Sequence, residues 1–383
     1  MADALTERTT GRPGGISGIE IELVMTDRTL VQADSGVAFP AGERAGRANQ
    51  RVADSSVRLR PRAHTIALVS MNPFGLPDHQ LAAFAAPPLE YLPAGFNAED
   101  AAQAEIDDVG SLAALASPDV AAARIGRLGV DVSTWDMTER LLDATDERTV
   151  VSGLRYRNLD PTFPFVAVKT TVRVTDAEAV DALAARVTDA YCGVGVRGFT
   201  FWEQPGLDIV SAERWATLVA GRMDVAARAD ERELTGTLTT SWPEAATEVF
   251  AGYQHEHQSW RSDTPELASS VSESCQKGLQ EAADQGLLMS LRDNQGFAGL
   301  AAATIAPLFG RRAVCMLDMF LAERLRGKGL APAIQSTFLA RQRSGADIVW
   351  GHIHAGNLPS LHTAQKLGRV PVQQEYFVSL SAP

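Results

Sequence analysis

The segment Arg326-Gly327-Lys328-Gly329-Leu330-Ala331 stands between a long apolar run, Arg312–Leu321, and a stretch of helical pattern, Pro332–Gln342. It sets a strand, a glycine loop and a helix in fixed order. Glycines at 327 and 329 let successive backbone N–H groups turn toward a common point with no Cβ in the way. The helix that follows adds unpaired amides and the positive end of its dipole. Pro332 suits the first helical turn, where a missing N–H costs nothing. Arg324, Arg326 and Lys328 add charge, so the loop is an anion cradle fit for a pyrophosphate.

Around this loop the second half predicts a strand at Leu234–Thr240 and helices at Pro243–Trp260 and Glu266–Gln285. A hairpin of Leu287–Arg292 and Phe297–Ile305, turning at Asp293-Asn294-Gln295-Gly296, comes next. After Pro332–Gln342 come a strand Ile348–His354, a helix Pro359–Leu367 and a strand Gln374–Leu380. In the first half, residues 1–16 read as a loose tail, Thr26-Asp27-Arg28 as a hairpin turn, and 44–62 as an arginine-rich segment. Strand Phe163–Val174, helix Asp176–Tyr191, strand Val196–Trp202 and helix Ser211–Ala226 follow. Gly193-Val194-Gly195-Val196-Arg197-Gly198 matches a dinucleotide fingerprint but follows a helix and precedes a strand, so it reads as a helix stop and turn. A charged stretch at 228–233 suits a linker, which divides the chain into a tail (1–16), a first domain (17–230) and a second (231–383).

The order of elements across 234–380 resembles the GCN5-related N-acetyltransferase (GNAT) superfamily. Arg326, Gly329 and Ala331 match its Q/R-x-x-G-x-G/A signature. His354-Ala355-Gly356-Asn357-Leu358-Pro359-Ser360, with Ala364, Lys366, Leu367 and Gly368, resembles its second motif, N-x-x-S/A…G. The resemblance implies an α/β (α+β) GNAT fold, a mixed central sheet flanked by helices, with the first half as a degenerate GNAT-like copy in tandem. It implies acetyl-CoA or another acyl-CoA as co-substrate, held in a V between strands 312–321 and 348–354. The implied contacts are backbone groups of Phe320, Leu321 and Ala322 toward the pantetheine. Arg326, Gly327, Lys328, Gly329, Leu330 and Ala331 would meet the pyrophosphate, and Asn357 and Ser360 the pantetheine or its sulfur.

For the chemistry, Asp318, at an alternating position from Phe320, is the first candidate base, and His257 lies on a helix whose family counterpart lines the acceptor pocket. Tyr253 and Trp260 are candidates to shape that pocket. Many members carry a tyrosine seven residues after the asparagine as general acid. Here that position is Ala364, and Tyr376 or His362 is the substitute expected. The pairs His352/His354 and His255/His257 have no third ligand near them, and an i,i+2 pair diverges on a helix, so no metal is expected.

Composition bounds the rest. The 383-residue chain carries a net charge of −12, which argues against a large nucleic-acid interface. Cys192, Cys275 and Cys315 form neither a disulfide framework nor a zinc spacing, which fits a reducing, cytoplasmic setting. No apolar run is long enough to span a membrane. Three function classes fit. The first is an acyl-CoA-dependent N-acyltransferase acting on a small-molecule amine. The second is a GNAT-fold transferase taking its donor from an acyl carrier protein or aminoacyl-tRNA, met by the arginines of 44–62. The third is a non-catalytic acyl-CoA sensor. The cradle favours CoA, because a carrier arm lacks the adenosine diphosphate. Between Val174 and Ala177 the first half has only Thr175-Asp176, without glycine or cation, so it should not bind CoA in the usual way.

Overall fold

Runs of β-branched and aromatic residues with polar turns between them pair into one mixed sheet. The computed structural model describes residues 74–85, 92, 95–144, 148–229, 234, 238–268, 271, 273–342 and 345–380. The tail at 1–16, the turn at Thr26–Arg28, the arginines of 44–62 and positions 230–233 of the expected linker lie outside the described residues.

The strands are β1 (Arg140–Ala144), β2 (Thr149–Tyr156), β3 (Pro164–Thr170), β4 (Gly198–Glu203), β5 (Glu213–Arg222), β6 (Thr239–Ser241), β7 (Leu288–Asp293), β8 (Gly296–Ile305), β9 (Ala313–Leu321), β10 (Ile348–His354) and β11 (Val370–Ser379). Their spatial order is β1-β2-β3-β4-β11-β5-β10-β9-β8-β7-β6. Only β3–β4 and β9–β10 pair in parallel; the other pairings are antiparallel. The helices are α1 (Asp78–Ala83), α2 (Ala98–Leu115), α3 (Pro118–Leu128), α4 (Thr134–Met137), α5 (Ala177–Ala190), α6 (Met223–Ala226), α7 (Thr247–Asp263), α8 (Pro265–Ala268), α9 (Gln276–Asp284), α10 (Ala331–Gln342) and α11 (Leu358–Lys366). None of them is long and apolar enough to cross a membrane.

Each half gives its last strand to the other. β11, from the C-terminus, lies between β4 and β5; β5, from the first half, lies between β11 and β10. The pairing of β5 with β11 runs from Val370 opposite Ala220 to Phe377 opposite Glu213. One core packs α7, α9 and α10 on β7–β9 through residues such as Leu279, Met289, Leu300 and Phe338. Another packs α3 and α5 on β2–β4 through Leu154, Val187 and Phe199.

The helix expected at Ser211–Ala226 is corrected: Glu213–Arg222 is β5, and only Met223–Ala226 is helical. Trp215–Ala220 is buried throughout. A strand apolar on both faces has no alternation, and periodicity cannot separate it from a buried helix. The single helix expected at Glu266–Gln285 is two, α8 and α9, and the strand expected at Leu234–Thr240 is described only as Thr239–Ser241. Gly195 has φ +66° between α5 and β4, the turn expected of the 193–198 glycines.

Candidate active site

β9 and β10 are hydrogen-bonded only over Ala313–Cys315 and Ile348–Trp350, after which they part. The gap opens into a cleft of 1510 Å³. Its rim is the glycine loop. Gly327 and Gly329 have φ of +71° and +68°, and a Cβ at either would meet nothing within 4 Å. Their role is therefore the left-handed backbone, and not close packing. The first amides of α10 add to this cradle. The residues present fit a pyrophosphate-bearing donor. Arg326, Gly327, Gly329, Leu330 and Ala331 line the cleft, as do Phe320, Leu321, Asn357 and Ser360.

Some residues expected at the site do other work. Arg324 is held by Asp293 through Nε (2.9 Å) and a terminal nitrogen (3.0 Å), by Glu256 (3.1 Å) and by the Phe297 carbonyl (2.5 Å), so it braces the β7–β8 turn and does not face the cradle. Lys328 is exposed. Arg326 donates from Nε to the Leu321 carbonyl (2.7 Å) and lies over the Phe320 ring at 5.1 Å. Ala322 is fully buried, with its amide on Ala298 and its carbonyl on the Leu325 amide, so it does not face the donor. Asn357 caps α11, its Oδ1 accepting from the Ser360 amide at 3.3 Å, and still faces the cleft.

A bulge prepares the catalytic side. Ala302 opposes Asp318 while Ala303 opposes Met316, which leaves Leu317 as an extra residue on β9. Asp318 thereby faces α7, where the Tyr253 hydroxyl donates to its Oδ2 at 2.7 Å and the Ser274 hydroxyl donates to the same oxygen at 3.0 Å. Tyr253 accepts in turn from the Ser274 amide at 3.0 Å. Burial raises the Asp318 pKa above the ordinary carboxylate range, against those hydrogen bonds, which pull the other way. Burial and the Asp318 charge push the Tyr253 hydroxyl up, so it stays protonated as a donor.

His257 is 2% exposed and also lines the cleft. Burial, then the charges of Arg261 and Arg326, hold its pKa down at about 4, so the imidazole is neutral near pH 7. Its Nδ1 lies 3.8 Å from Glu273 and has no hydrogen-bond partner among the described residues. His255, two residues earlier, is exposed, so that pair diverges. Among the described residues no group of three His, Cys, Asp or Glu side chains could hold a metal.

Tyr376 is not at this site. Because β11 is inserted between β4 and β5, its ring stacks on Phe201 in the first-half core, and its hydroxyl lies 2.8 Å from the Leu207 carbonyl. Ala364 packs with Val219 and Ile353. The face of α11 toward the cleft carries Ser360, Thr363 and Lys366, and His362 also reaches the cleft. The network partners Ser274 and Glu273 carry no sequence signal, since they sit in an irregular segment between α8 and α9.

The far wall of the cleft belongs to the first half. Arg157, Phe163, Phe165 and Trp215 line it, and the Ala355 amide donates to the Trp215 carbonyl at 2.8 Å, tying that wall to the end of β10.

The parted β9–β10 pair, the bulge and the glycine loop entering α10 complete the picture. The chain has a GNAT-like fold. No protein-family model and no curated protein matches it. Among solved structures it is similar to a GCN5-related N-acetyltransferase from Kribbella flavida, with 14% identity, 69% of this chain and 95% of that one covered, and a TM-score of 0.39. A tandem GNAT protein from the clavulanic acid biosynthesis pathway shares 12% identity over 80% of this chain and 96% of its own, with a TM-score of 0.37. A conserved protein of unknown function from Bacteroides thetaiotaomicron shares 10% identity over 63% and 86%, with a TM-score of 0.40. At such scores the fold is carried by the strand order and the splayed pair, not by the likeness.

Proposed function

We propose that the chain is an N-acyltransferase that moves an acyl group from a coenzyme A thioester to an amine held in the same cleft. The observation that supports this most is the meeting of a glycine loop and a half-buried, raised-pKa carboxylate, Asp318, in one cleft at a splayed strand pair. The cradle at 326–331 positions the donor's pyrophosphate, and the walls of β9 and β10 align its arm. Alignment of two reactants supplies much of the rate. The register of β9 on β8 slips by one residue at the bulge, and a β9 amide beside it polarises the thioester carbonyl. As the amine nitrogen bonds to the carbonyl carbon, the carbon–sulfur bond breaks and the thiolate leaves. Asp318 takes the amine proton, directly or through one water. Tyr253 and Ser274 hold the carboxylate in place. Tyr376 has no part; His362 and Lys366 of α11 face the cleft.

Isothermal titration with acetyl-CoA tests the donor, and thiol release across a panel of amines tests the reaction. Failure of the wild-type chain to bind acetyl-CoA would sink the proposal.

A further inference from the structure

We propose that the acyl group brought by the donor ends in a carboxylate, which Arg369 receives at the floor of the cleft. The inference rests on the acyltransferase reading and adds the class of the acyl group to it. It starts from a cation that the protein itself does not neutralise. Arg369 stands between α11 and β11 and is 3% exposed. Its Nη2 donates to Oε1 of Gln335, on α10, which is equally buried. Its Nε is buried and has no hydrogen-bond partner among the described residues. No carboxylate among them pairs with it. Of the titratable groups, the Cys315 thiol is the one that bears on its charge, and burial pushes that thiol up to about 12, so it stays neutral. Burial also draws the guanidinium down to about 10, which still leaves it a cation near pH 7. A buried charge met by one neutral amide is costly to the fold and asks for an anion.

The place of the arginine in the sheet points to the kind of anion. Val370 is opposite Ala220, Ala220 opposite Trp350, and Trp350 opposite Cys315. Arg369 therefore stands one residue before the last bonded row of β9 and β10, at the fork of the cleft. Gly221, next to Ala220 on β5, makes way for its side chain, since a Cβ there would stand 3.1 Å from Arg369 Cγ. Arg369 and Gln335 line the cleft, together with Cys315, Met316 and Gly351 from the fork. The glycine loop follows the other end of β9, roughly 20 Å of strand from Cys315. Asp318 lies between the two. A donor held by its pyrophosphate at the loop, with its thioester beside Asp318, points its acyl group at the fork. Met316 and Gly351 offer that group no charge, and the guanidinium does. A guanidinium N–H bonded to a carboxylate oxygen is a strong, charge-assisted pair. An acetyl group would offer it only a methyl.

The test pairs thioesters that differ only in a terminal carboxylate in place of a methyl: malonyl- with propionyl-CoA, succinyl- with butyryl-CoA, and glutaryl- with valeryl-CoA. Acetyl-CoA is the reference. Calorimetry gives a Kd for each, with no acceptor needed. In the wild type at least one carboxylated member binds about tenfold or more tightly than its partner. In Arg369→Gln that advantage falls toward unity, because the carboxylated member weakens while acetyl-CoA binds as before. Arg369→Lys keeps the charge and recovers part of the advantage. Loss of affinity by the same factor for every thioester, acetyl-CoA included, assigns the arginine to the coenzyme's own phosphates or to the fold, and overturns the inference. So does a wild type that binds acetyl-CoA and shows no advantage in any pair, which leaves the acyltransferase reading standing. Absence of binding by every thioester removes that reading and the inference with it.

Discussion

The two halves carry the same β–α–β unit and put opposite things in it. β3–α5–β4 and β9–α10–β10 are both parallel crossovers, bonded briefly before the strands part: Val166–Ala167 with Phe199–Thr200 in the first, Ala313–Cys315 with Ile348–Trp350 in the second. In the second half the loop into the helix is opened by two left-handed glycines. In the first half the corresponding segment already holds an anion, the chain's own Glu203. That carboxylate is 1% exposed and accepts from the Val174 amide (2.8 Å), the Gln204 amide (3.1 Å) and Arg173 (3.2 Å). Asp176 then caps α5, accepting from the Ala179 amide at 2.9 Å. One helix entry is filled by an internal carboxylate; the other lines the cleft.

The largest expected effect breaks the open side. Arg326→Glu with Gly329→Glu sets two negative charges against a pyrophosphate. Each repulsion at ~5 Å and an effective dielectric of ~20 is ~3 kcal/mol, so together they remove about four orders of magnitude of affinity. Titration with acetyl-CoA reads this directly; binding weakened by less than about tenfold would place the donor elsewhere. Next is Asp318→Asn, for which kcat falls about 10³-fold while donor affinity holds. The base works only when deprotonated, and burial raises its pKa. The wild-type rate therefore climbs with pH through a limb above the ordinary carboxylate range, and the variant lacks that limb. A limb that survives in the variant assigns the proton to another group.

The filled side makes the complementary prediction. Glu203→Ala removes the buried acceptor of the Val174 and Gln204 amides and the carboxylate that Arg173 meets, and stability falls by about 3 kcal/mol, read by urea denaturation. Acetyl-CoA affinity per active cleft stays as in the wild type. A Glu203→Ala protein as stable as its parent would mean that the internal anion does not hold the first half together.

These contrasts were unevenly legible in the sequence. The glycine loop, α10, and strands β7 to β10 follow from apolar runs bounded by turn residues, and the structure has them within a few residues of the expected ends. β5 and β2 were hidden for one reason: both are buried on both faces, so neither shows alternation. Strand exchange between the halves is also invisible to a local pattern, and it is what carries Tyr376 into the other core. Arg324 illustrates a different limit. A cation beside a glycine loop looks the same whether it meets a phosphate or a carboxylate 31 residues away, and here it meets Asp293. Asp318 was legible as an acid on a strand, but its partner Ser274 comes from an irregular segment with no periodicity to read.

The last effect is a dependence on pH. His257 is expected near pKa 6.5 unfolded and about 4 folded, because burial and the charges of Arg261 and Arg326 disfavour its cation. As pH falls through 6.5, the unfolded chain binds this proton while the folded chain does not. The stability that His257 contributes as a neutral group is therefore complete above about 6.5 and lost progressively down to about 4, a change of about 3 kcal/mol. Asp318 acts with the opposite sign. Its raised folded pKa means that the native state binds the proton more tightly, so its contribution is present below the ordinary carboxylate pKa and lost as pH rises through the raised value. Both groups stand in the open cleft, one losing stability toward acid and the other partly offsetting it. His257→Phe keeps the ring contacts with Tyr253, Trp260 and Phe320 and removes the titration. Urea denaturation from pH 7 to pH 4 should then show a fall in stability about 3 kcal/mol smaller than in the wild type. Parallel curves for the two proteins would show that the acid sensitivity does not come from His257.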